Sequence, residues 1–139
     1  MDISRDMISQ LADNALYRLM GITVVEAAAG KAHLELHPDP KVQWPTPGQP
    51  HGGVLFTLMD TAMAWAVITI LSPGQSCVTI DLHIQYPKPA RGGHFSCTAE
   101  TTYQTRALSF ARAEIHDPEG GLVGLGQGTF RIIEGDFIP

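Results

Sequence analysis

The sequence predicts an α+β fold in which a curved antiparallel β-sheet wraps around one long central helix, with a further helix at the N-terminus. Residues 54–71 are apolar almost throughout, longer than a normal strand, and rich in Leu, Met and Ala. Four segments with period-two alternation follow, and the short turns between them favour antiparallel neighbours. A helix that is apolar on nearly every face needs a sheet that covers it.

The N-terminal half contributes a helix, two strands and a loop. Apolar residues recur every three or four positions in residues 3–20, which predicts an amphipathic helix that ends at Gly21. Residues 22–28 and 31–37 alternate like two strands joined by a short turn. Residues 38–50 contain five prolines, which resist both helix and sheet, so we expect a loop there.

The central helix is predicted to be buried nearly all round, and Ser-Pro-Gly at residues 72–74 ends it. It is not expected to span a membrane, because Asp60 near its centre is costly in lipid. The later strands are predicted at 76–86, 94–103, 107–116 and 122–133. One such subunit would leave a strand edge and part of the helix uncovered, and pairing two subunits would cover both.

The composition indicates one globular domain, residues 1–139. Hydrophobic residues make up 44% of the chain and charged residues 17%, which excludes a disordered chain. The net charge of −5 argues against a general nucleic-acid binder, which is normally basic. Cys77 and Cys97 are too few for a disulfide scaffold, so we expect reduced core residues. The first ten residues lack the apolar run of a signal peptide, so we expect a cytoplasmic protein.

Three glycines recur every two residues in the last predicted strand, at Gly124, Gly126 and Gly128. They do not form a nucleotide-binding loop, because no helix start follows them. Glycines on one face of a strand predict that another surface, such as a bent sheet or a helix, approaches closely.

The start of the central helix carries His51, Gly52 and Gly53, and Asp60 follows eight residues after Gly52. The first N–H groups of a helix have no helical partner and lie at the positive end of its dipole, so they can stabilise an oxyanion. Asp60 could act as a base or a nucleophile. Eight residues rise about 12 Å along a helix, so one helix cannot bring Gly52 and Asp60 to the same carbonyl. Two antiparallel helices across a two-fold axis could, which predicts two sites per dimer.

The stretch HGGVLFTLMDTAMAWAV, residues 51–67, resembles the signature of the hotdog-fold acyl-CoA thioesterases, specifically the phenylacetic-acid-degradation (PaaI-like) branch. The segments VTIDLHIQYPKPARGG and GLVGLGQGTFRI resemble that family's next strand and turn and its last strand. The resemblance covers roughly residues 40–132. It implies a hotdog fold, assembly as homodimers and often homotetramers, and hydrolysis of an acyl-CoA thioester without a metal or a separate cofactor.

The resemblance also implies catalytic roles. Asp60 matches the family's catalytic acid, and Gly52 and Gly53 match the glycines whose N–H groups bind the thioester carbonyl. Thr79 lies where many relatives carry a serine or threonine that helps to place the water or the acid. From position alone, Asp60 could be a structural acid and Thr79 an ordinary strand residue, and these alternatives stay open.

The sequence departs from the family pattern in the proline-rich loop. Many relatives carry an asparagine six residues before the motif histidine, and that position here is Pro45. Gln43 or Gln49 could take its place, and we favour Gln49.

Further residues are candidates for binding the substrate. Coenzyme A carries phosphates, and the cations Arg91, Arg106 and Lys88 lie at or beside predicted turns where they could bind them. They could equally be solvated surface charges. His51 could hold the loop or the substrate, and Phe56 could line an acyl or aryl pocket.

Three functions remain compatible with this reading, and the fold alone does not choose among them. A thioesterase is favoured by the glycine–aspartate spacing. The alternative is a non-catalytic hotdog protein that binds acyl-CoA or another acyl ligand. A hydratase or dehydratase is disfavoured, because the sequence lacks a matching Asp-x-x-x-x-His arrangement. A metal site at His33 and His37 is also disfavoured, since their surroundings alternate like a strand.

Overall fold

The computed structural model describes residues 4–44, 46 and 48–135. Its elements are, in chain order, α1 Arg5–Ala12, α2 Ala15–Met20, β1 Ile22–Ala28, β2 Lys31–Leu36, α3 Pro40–Gln43, α4 Gly52–Ile68, β3 Gln75–Gln85, β4 Phe95–Gln104, β5 Leu108–His116 and β6 Leu122–Glu134. The strands form one curved sheet in the order β1-β2-β4-β5-β6-β3, and every neighbouring pair is antiparallel. The predicted α+β architecture is confirmed, and each predicted strand agrees with the observed one to within one residue at each end.

The predicted N-terminal helix is in fact two helices. The Asn14 side chain accepts a hydrogen bond from the Tyr17 N–H at 3.0 Å and so starts α2. Asparagine favours this capping position over a helix interior, which explains the break. Gly21 ends α2 with φ of 75°, as predicted, and a Cβ there would overlap the His37 carbonyl.

The proline-rich segment contains the short helix α3, which the sequence reading missed. Asp39 caps it by accepting from the Lys41 N–H at 2.9 Å, and Pro40 stands in the first turn, where no N–H is needed. Pro45 and Pro47 lie outside the described residues, as does the first residue of the predicted N-terminal helix. What replaces the family's asparagine therefore stays a prediction.

Helix α4 packs against the inner face of the sheet, and ten of its 17 residues are buried. The helix was predicted to be buried nearly all round, with part of it uncovered in a single subunit. A stripe with helical spacing stays uncovered within this chain, and we call it the open stripe: Gly53, Phe56, Thr57, Asp60, Thr61 and Ala64. Within the described ranges, no helix has the length and apolar character that crossing a membrane requires.

Strand β6 approaches α4 through its glycines. A Cβ at Gly124 would lie 2.9 Å from Cε of Met59, and one at Gly126 would lie 3.0 Å from Sδ of the same residue. At Gly128 a Cβ would lie 2.8 Å from Cδ1 of Leu82 on β3. The predicted close approach is therefore confirmed, to the helix at Gly124 and Gly126 and to the neighbouring strand β3 at Gly126 and Gly128.

Strand β3 is an edge of the sheet and is 11 residues long. It carries two half-exposed apolar side chains, Val78 at 46% and Ile80 at 56%. A long, apolar edge strand is a surface that pairs readily with another chain. The open stripe and this edge are the two uncovered surfaces that the sequence predicted for a single subunit.

A bulge in β3 changes which side chains face α4. The register with β6 shifts between Thr79 and Asp81, which leaves Ile80 as the extra residue. Before the bulge Thr79 faces α4, where it contacts Asp60, and after it Leu82 packs against the core. Side chains that face the helix are therefore odd-numbered before the bulge and even-numbered after it.

Candidate active site

Asp60 and Thr79 form the centre of the candidate site. Thr79 Oγ1 donates a hydrogen bond to Asp60 Oδ1 at 2.7 Å. Asp60 is half-buried on the open stripe, and no described residue donates to its second oxygen, Oδ2. Thr57, a possible structural partner on the same helix, instead donates to the Gly53 carbonyl at 3.0 Å. One carboxylate oxygen is thus fixed, and the other is available to water or to a ligand.

The charge of Asp60 influences two neighbouring groups. Burial raises the pKa of Tyr17; the hydrogen bond that its hydroxyl accepts from Trp65 Nε1 at 3.0 Å lowers it, and Asp60 raises it. Burial, with a further contribution from Asp60, raises the pKa of Cys77 to about 12. Cys77 therefore stays a thiol near neutral pH, and it does not compete with Asp60 as a nucleophile.

His51 caps the start of α4. Its Nδ1 accepts from the Gly53 N–H at 2.8 Å, and its carbonyl accepts from the Val54 N–H at 2.9 Å. Gly52 stands at the first helical position, where an N–H has no acceptor within the helix. The Gly52 N–H therefore has no acceptor within the helix, whereas the Gly53 N–H is already bonded to the His51 ring.

Tyr86 is a contact of this helix start that the sequence reading missed. Directly after β3, its hydroxyl donates to the Gly52 carbonyl at 2.8 Å. Burial raises the pKa of Tyr86, which keeps the phenol protonated as a donor. This bond ties the glycine pair to the strand that carries Thr79. No sequence signal beyond a tyrosine at a strand end could have identified it.

A single chain does not bring the glycines and the carboxylate together. Gly52 and Asp60 belong to the same continuous helix, and a separation of eight positions corresponds to a rise of about 12 Å. In the folded chain, as expected from the sequence, one helix cannot bring Gly52 and Asp60 to the same carbonyl.

The cations that were predicted to bind phosphate do not all lie close to one another. Arg91 precedes β4 and Arg106 follows it, and ten strand residues span roughly 33 Å. Both arginines are exposed. Lys88 Nζ lies 2.7 Å from Oδ2 of Asp117, and this contact holds the pKa of that carboxyl below its ordinary value.

The other two substrate-binding candidates lie close to the helix start. Phe56 is on the open stripe and is 40% exposed. Gln49 is half-buried two residues before His51, and its N–H donates to the Thr46 carbonyl at 3.2 Å.

The chain matches a known family and individual proteins. Residues 48–124 match the family described as the thioesterase superfamily, a range that includes the helix start, Asp60 and Thr79. A protein of Halobacterium salinarum, provisionally named an esterase, is 31% identical over 137 residues, which is 92% of this chain and 91% of that protein.

Solved structures show the same fold. A thioesterase from Haemophilus influenzae has a TM-score of 0.87 at 22% identity, covering 96% of this chain and 93% of that one. The PaaI protein of E. coli, from the phenylacetic acid degradation operon, has a TM-score of 0.81 at 24% identity, covering 91% and 90%. A conserved protein from Pseudomonas aeruginosa has a TM-score of 0.81 at 28% identity, covering 94% and 99%. The family match, which covers more than half of the chain, and this shared architecture lead to one conclusion: the chain belongs to the thioesterase superfamily and has the hotdog fold.

Proposed function

We propose that the protein hydrolyses acyl-CoA thioesters to a carboxylic acid and free coenzyme A. The observation that carries the proposal is the Thr79–Asp60 hydrogen bond on the open stripe of an otherwise buried helix. An acid inside a core is costly unless its oxygens are paired. Here one oxygen is paired and the other faces an uncovered surface, which suits a reacting group. Membership of the thioesterase superfamily supports the thioester as the substrate class.

The proposed site is shared between two protomers of a homodimer. Antiparallel pairing of two β3 edges would cover Val78 and Ile80 and would lay the two α4 helices side by side. The helices would then run in opposite directions, so the Gly52–Gly53 pair of one protomer lies near the partner's Asp60. Each dimer would hold two equivalent sites.

The chemistry divides between the two protomers. The thioester carbonyl oxygen accepts from the Gly52 N–H, and from the Gly53 N–H once the substrate displaces the His51 ring. Asp60 Oδ2 removes a proton from water as the water oxygen attacks the carbonyl carbon, or it attacks that carbon itself and forms an anhydride that water then cleaves. In both routes the C–S bond breaks and the thiolate of coenzyme A leaves. Labelled solvent oxygen found in Asp60 after one turnover would favour direct attack.

The deciding experiment follows thiol release from a panel of aryl and aliphatic acyl-CoAs. Asp60→Asn removes the charge and little volume, and it should lower kcat by about 100-fold or more. Asp81→Asn is the matched control, because it removes an exposed carboxylate from the same edge strand. Sedimentation should show one oligomeric state for all three proteins. Equal turnover in wild type and Asp60→Asn would reassign Asp60 to a structural role.

The second candidate is a non-catalytic protein that binds an acyl ligand. The His51 cap favours it, because the Gly53 N–H that the mechanism needs is already bonded. If no acyl-CoA is hydrolysed, binding of a non-hydrolysable acyl-CoA analogue would support this candidate. The acyl group, a homotetramer built from two dimers, and a cytoplasmic location remain predictions.

A further inference from the structure

A cluster of three side chains lies where β2 ends and β4 begins. We call Glu35, His37 and His94 the His–Glu cluster; one potential ligand atom from each lies within 4.8 Å of the others. The two histidines are 57 positions apart in the sequence and meet because β2 pairs antiparallel with β4. Leu34 and Leu36, the neighbours of Glu35 on β2, are fully buried, so Glu35 lies on the opposite face of the sheet. The sheet therefore separates the cluster from α4 and Asp60.

His94 has an unsatisfied nitrogen in this cluster. Nε2 is buried from solvent and makes no hydrogen bond among the described residues. Oε2 of Glu35 lies only 3.2 Å from it, but the two atoms are not aligned for a hydrogen bond. Buried polar atoms are almost always paired, so this contact calls for a third participant. A cation that lies between the two atoms would satisfy both.

The spacing of these two atoms fits a metal ion. Ligands bound at about 2.0–2.1 Å in a tetrahedral site lie about 3.3 Å from each other. The distance between His94 Nε2 and Glu35 Oε2, 3.2 Å, is close to this value. Imidazole with one carboxylate is a ligand set that suits Zn²⁺ and its neighbours in the first transition series, whereas Mg²⁺ and Ca²⁺ prefer oxygen alone.

His37 is the third ligand and has to move a short way. Its backbone N–H is fixed to the Gly21 carbonyl at 2.8 Å, so we expect the approach to come from rotation of the side chain. Its ring stacks on that of His94, with centroids 4.5 Å apart and planes 10° apart. Parallel rings cannot both hold one ion in their planes, so ion binding must turn one ring out of the stack.

His33 and Ser96 lie on the other side of the Glu35 carboxylate. Nε2 of His33 lies 2.9 Å from the Ser96 hydroxyl and 3.9 Å from Oε1 of Glu35. The His33 imidazole therefore lies beside Oε1 of Glu35, and Oε2 is the oxygen nearer to His94. Such outer contacts commonly orient metal-binding carboxylates.

We propose that Glu35, His37 and His94 bind a divalent transition-metal ion, with water completing its coordination. The site is independent of the proposed hydrolysis, because the cluster and Asp60 lie on opposite faces of the sheet. The net charge of −5 further favours a cation.

The test is a calorimetric titration of metal-free protein with Zn²⁺, together with NMR spectra of the histidine rings. One ion should bind per chain, and the His37 and His94 ring signals should shift as the stack opens. Glu35→Gln and His94→Asn should each weaken binding by at least about tenfold. His116→Asn is the matched control, because His116 Nε2 lies 3.6 Å from Oε2 of Glu114 but belongs to no group of three potential metal ligands among the described residues. Circular dichroism should show that all variants are folded.

Three results would overturn the proposal. One is binding of Zn²⁺ to the wild type that is weaker than about 1 mM. Another is equal affinity in wild type, Glu35→Gln and His94→Asn, which would place the ion elsewhere. The third is Mg²⁺ binding with the affinity of Zn²⁺, which would exclude imidazole ligands. Turnover of acyl-CoA is not a readout, so failure of the proposed function leaves the test unaffected.

Discussion

Thr79 on the edge strand β3 donates a 2.7 Å hydrogen bond to Asp60 on the central helix, and this bond joins the β3 edge to the open stripe. The strand edge is free to pair, and the helix stripe is free to contact a second helix. Both surfaces meet at the carboxylate. Pairing of chains and organisation of the candidate site are therefore expected to be one event.

The first prediction concerns the hydroxyl of Thr79. Thr79→Val keeps the shape and removes the donor to the carboxylate. A hydrogen bond to a charged group is worth roughly 1.5–3 kcal/mol, so kcat for acyl-CoA should fall roughly ten- to a hundredfold. Thr79→Ser restores the hydroxyl and should recover most of the rate. Steady-state kinetics measure both, and a Thr79→Val enzyme as fast as wild type would contradict the role.

The second prediction concerns assembly. Ile80→Lys places a charge at the bulge of the β3 edge, where desolvation on pairing is unfavourable. Sedimentation should show monomers, and thiol release should be lost with them.

Val25→Lys is the control for Ile80→Lys. Val25 is 50% exposed and is the extra residue of a bulge in β1, the other edge strand. This variant should assemble and turn over like wild type. A monomeric Ile80→Lys protein with full turnover would contradict the shared site.

The third prediction concerns the cap of α4. His51→Ala leaves the Gly53 N–H without its acceptor, which should lower the free energy of unfolding by about 1 kcal/mol. His51→Asn should lie close to wild type, because asparagine also caps helices. Urea unfolding measures the difference. An equal loss in both variants would show that the imidazole contributes something other than the cap.

The fourth prediction concerns the contact between β6 and its surroundings. A Cβ at Gly126 would lie 2.7 Å from the His83 carbonyl oxygen, so Gly126→Ala should destabilise the fold by about 1–3 kcal/mol. Gly93→Ala is the control, since nothing lies within 4 Å of a Cβ there. Thermal unfolding compares the two. Equal melting temperatures would mean that the strand shifts without cost.

The strand limits could be predicted from the sequence because alternation and turn residues agree along the second half of the chain. The face of β3 on which the Thr79 side chain lies could not be predicted. Val78, Ile80, Leu82 and Ile84 alternate without a break in the sequence, which would put Thr79 on the opposite face from Leu82. The bulge at Ile80 changes the face, and a single sequence contains no sign of it.

Contacts between residues that are distant in the sequence could not be predicted either. The link from Tyr86 to Gly52 depends on where the end of β3 meets the start of α4. The pairing of His37 with His94 depends on the register of β2 and β4. Chemistry that is local in the sequence, such as the glycine pair and Asp60, was recognised; chemistry assembled by topology was not.

The separation of Gly52 and Asp60 along one helix has a genetic consequence. If each site takes its glycines from one chain and its carboxylate from the other, two defective alleles can complement each other. A mixed dimer with the glycine lesion in one protomer and the Asp60 lesion in the other carries both lesions in one site and neither in the second. Two inactive gene products would thus regain activity when they are expressed together.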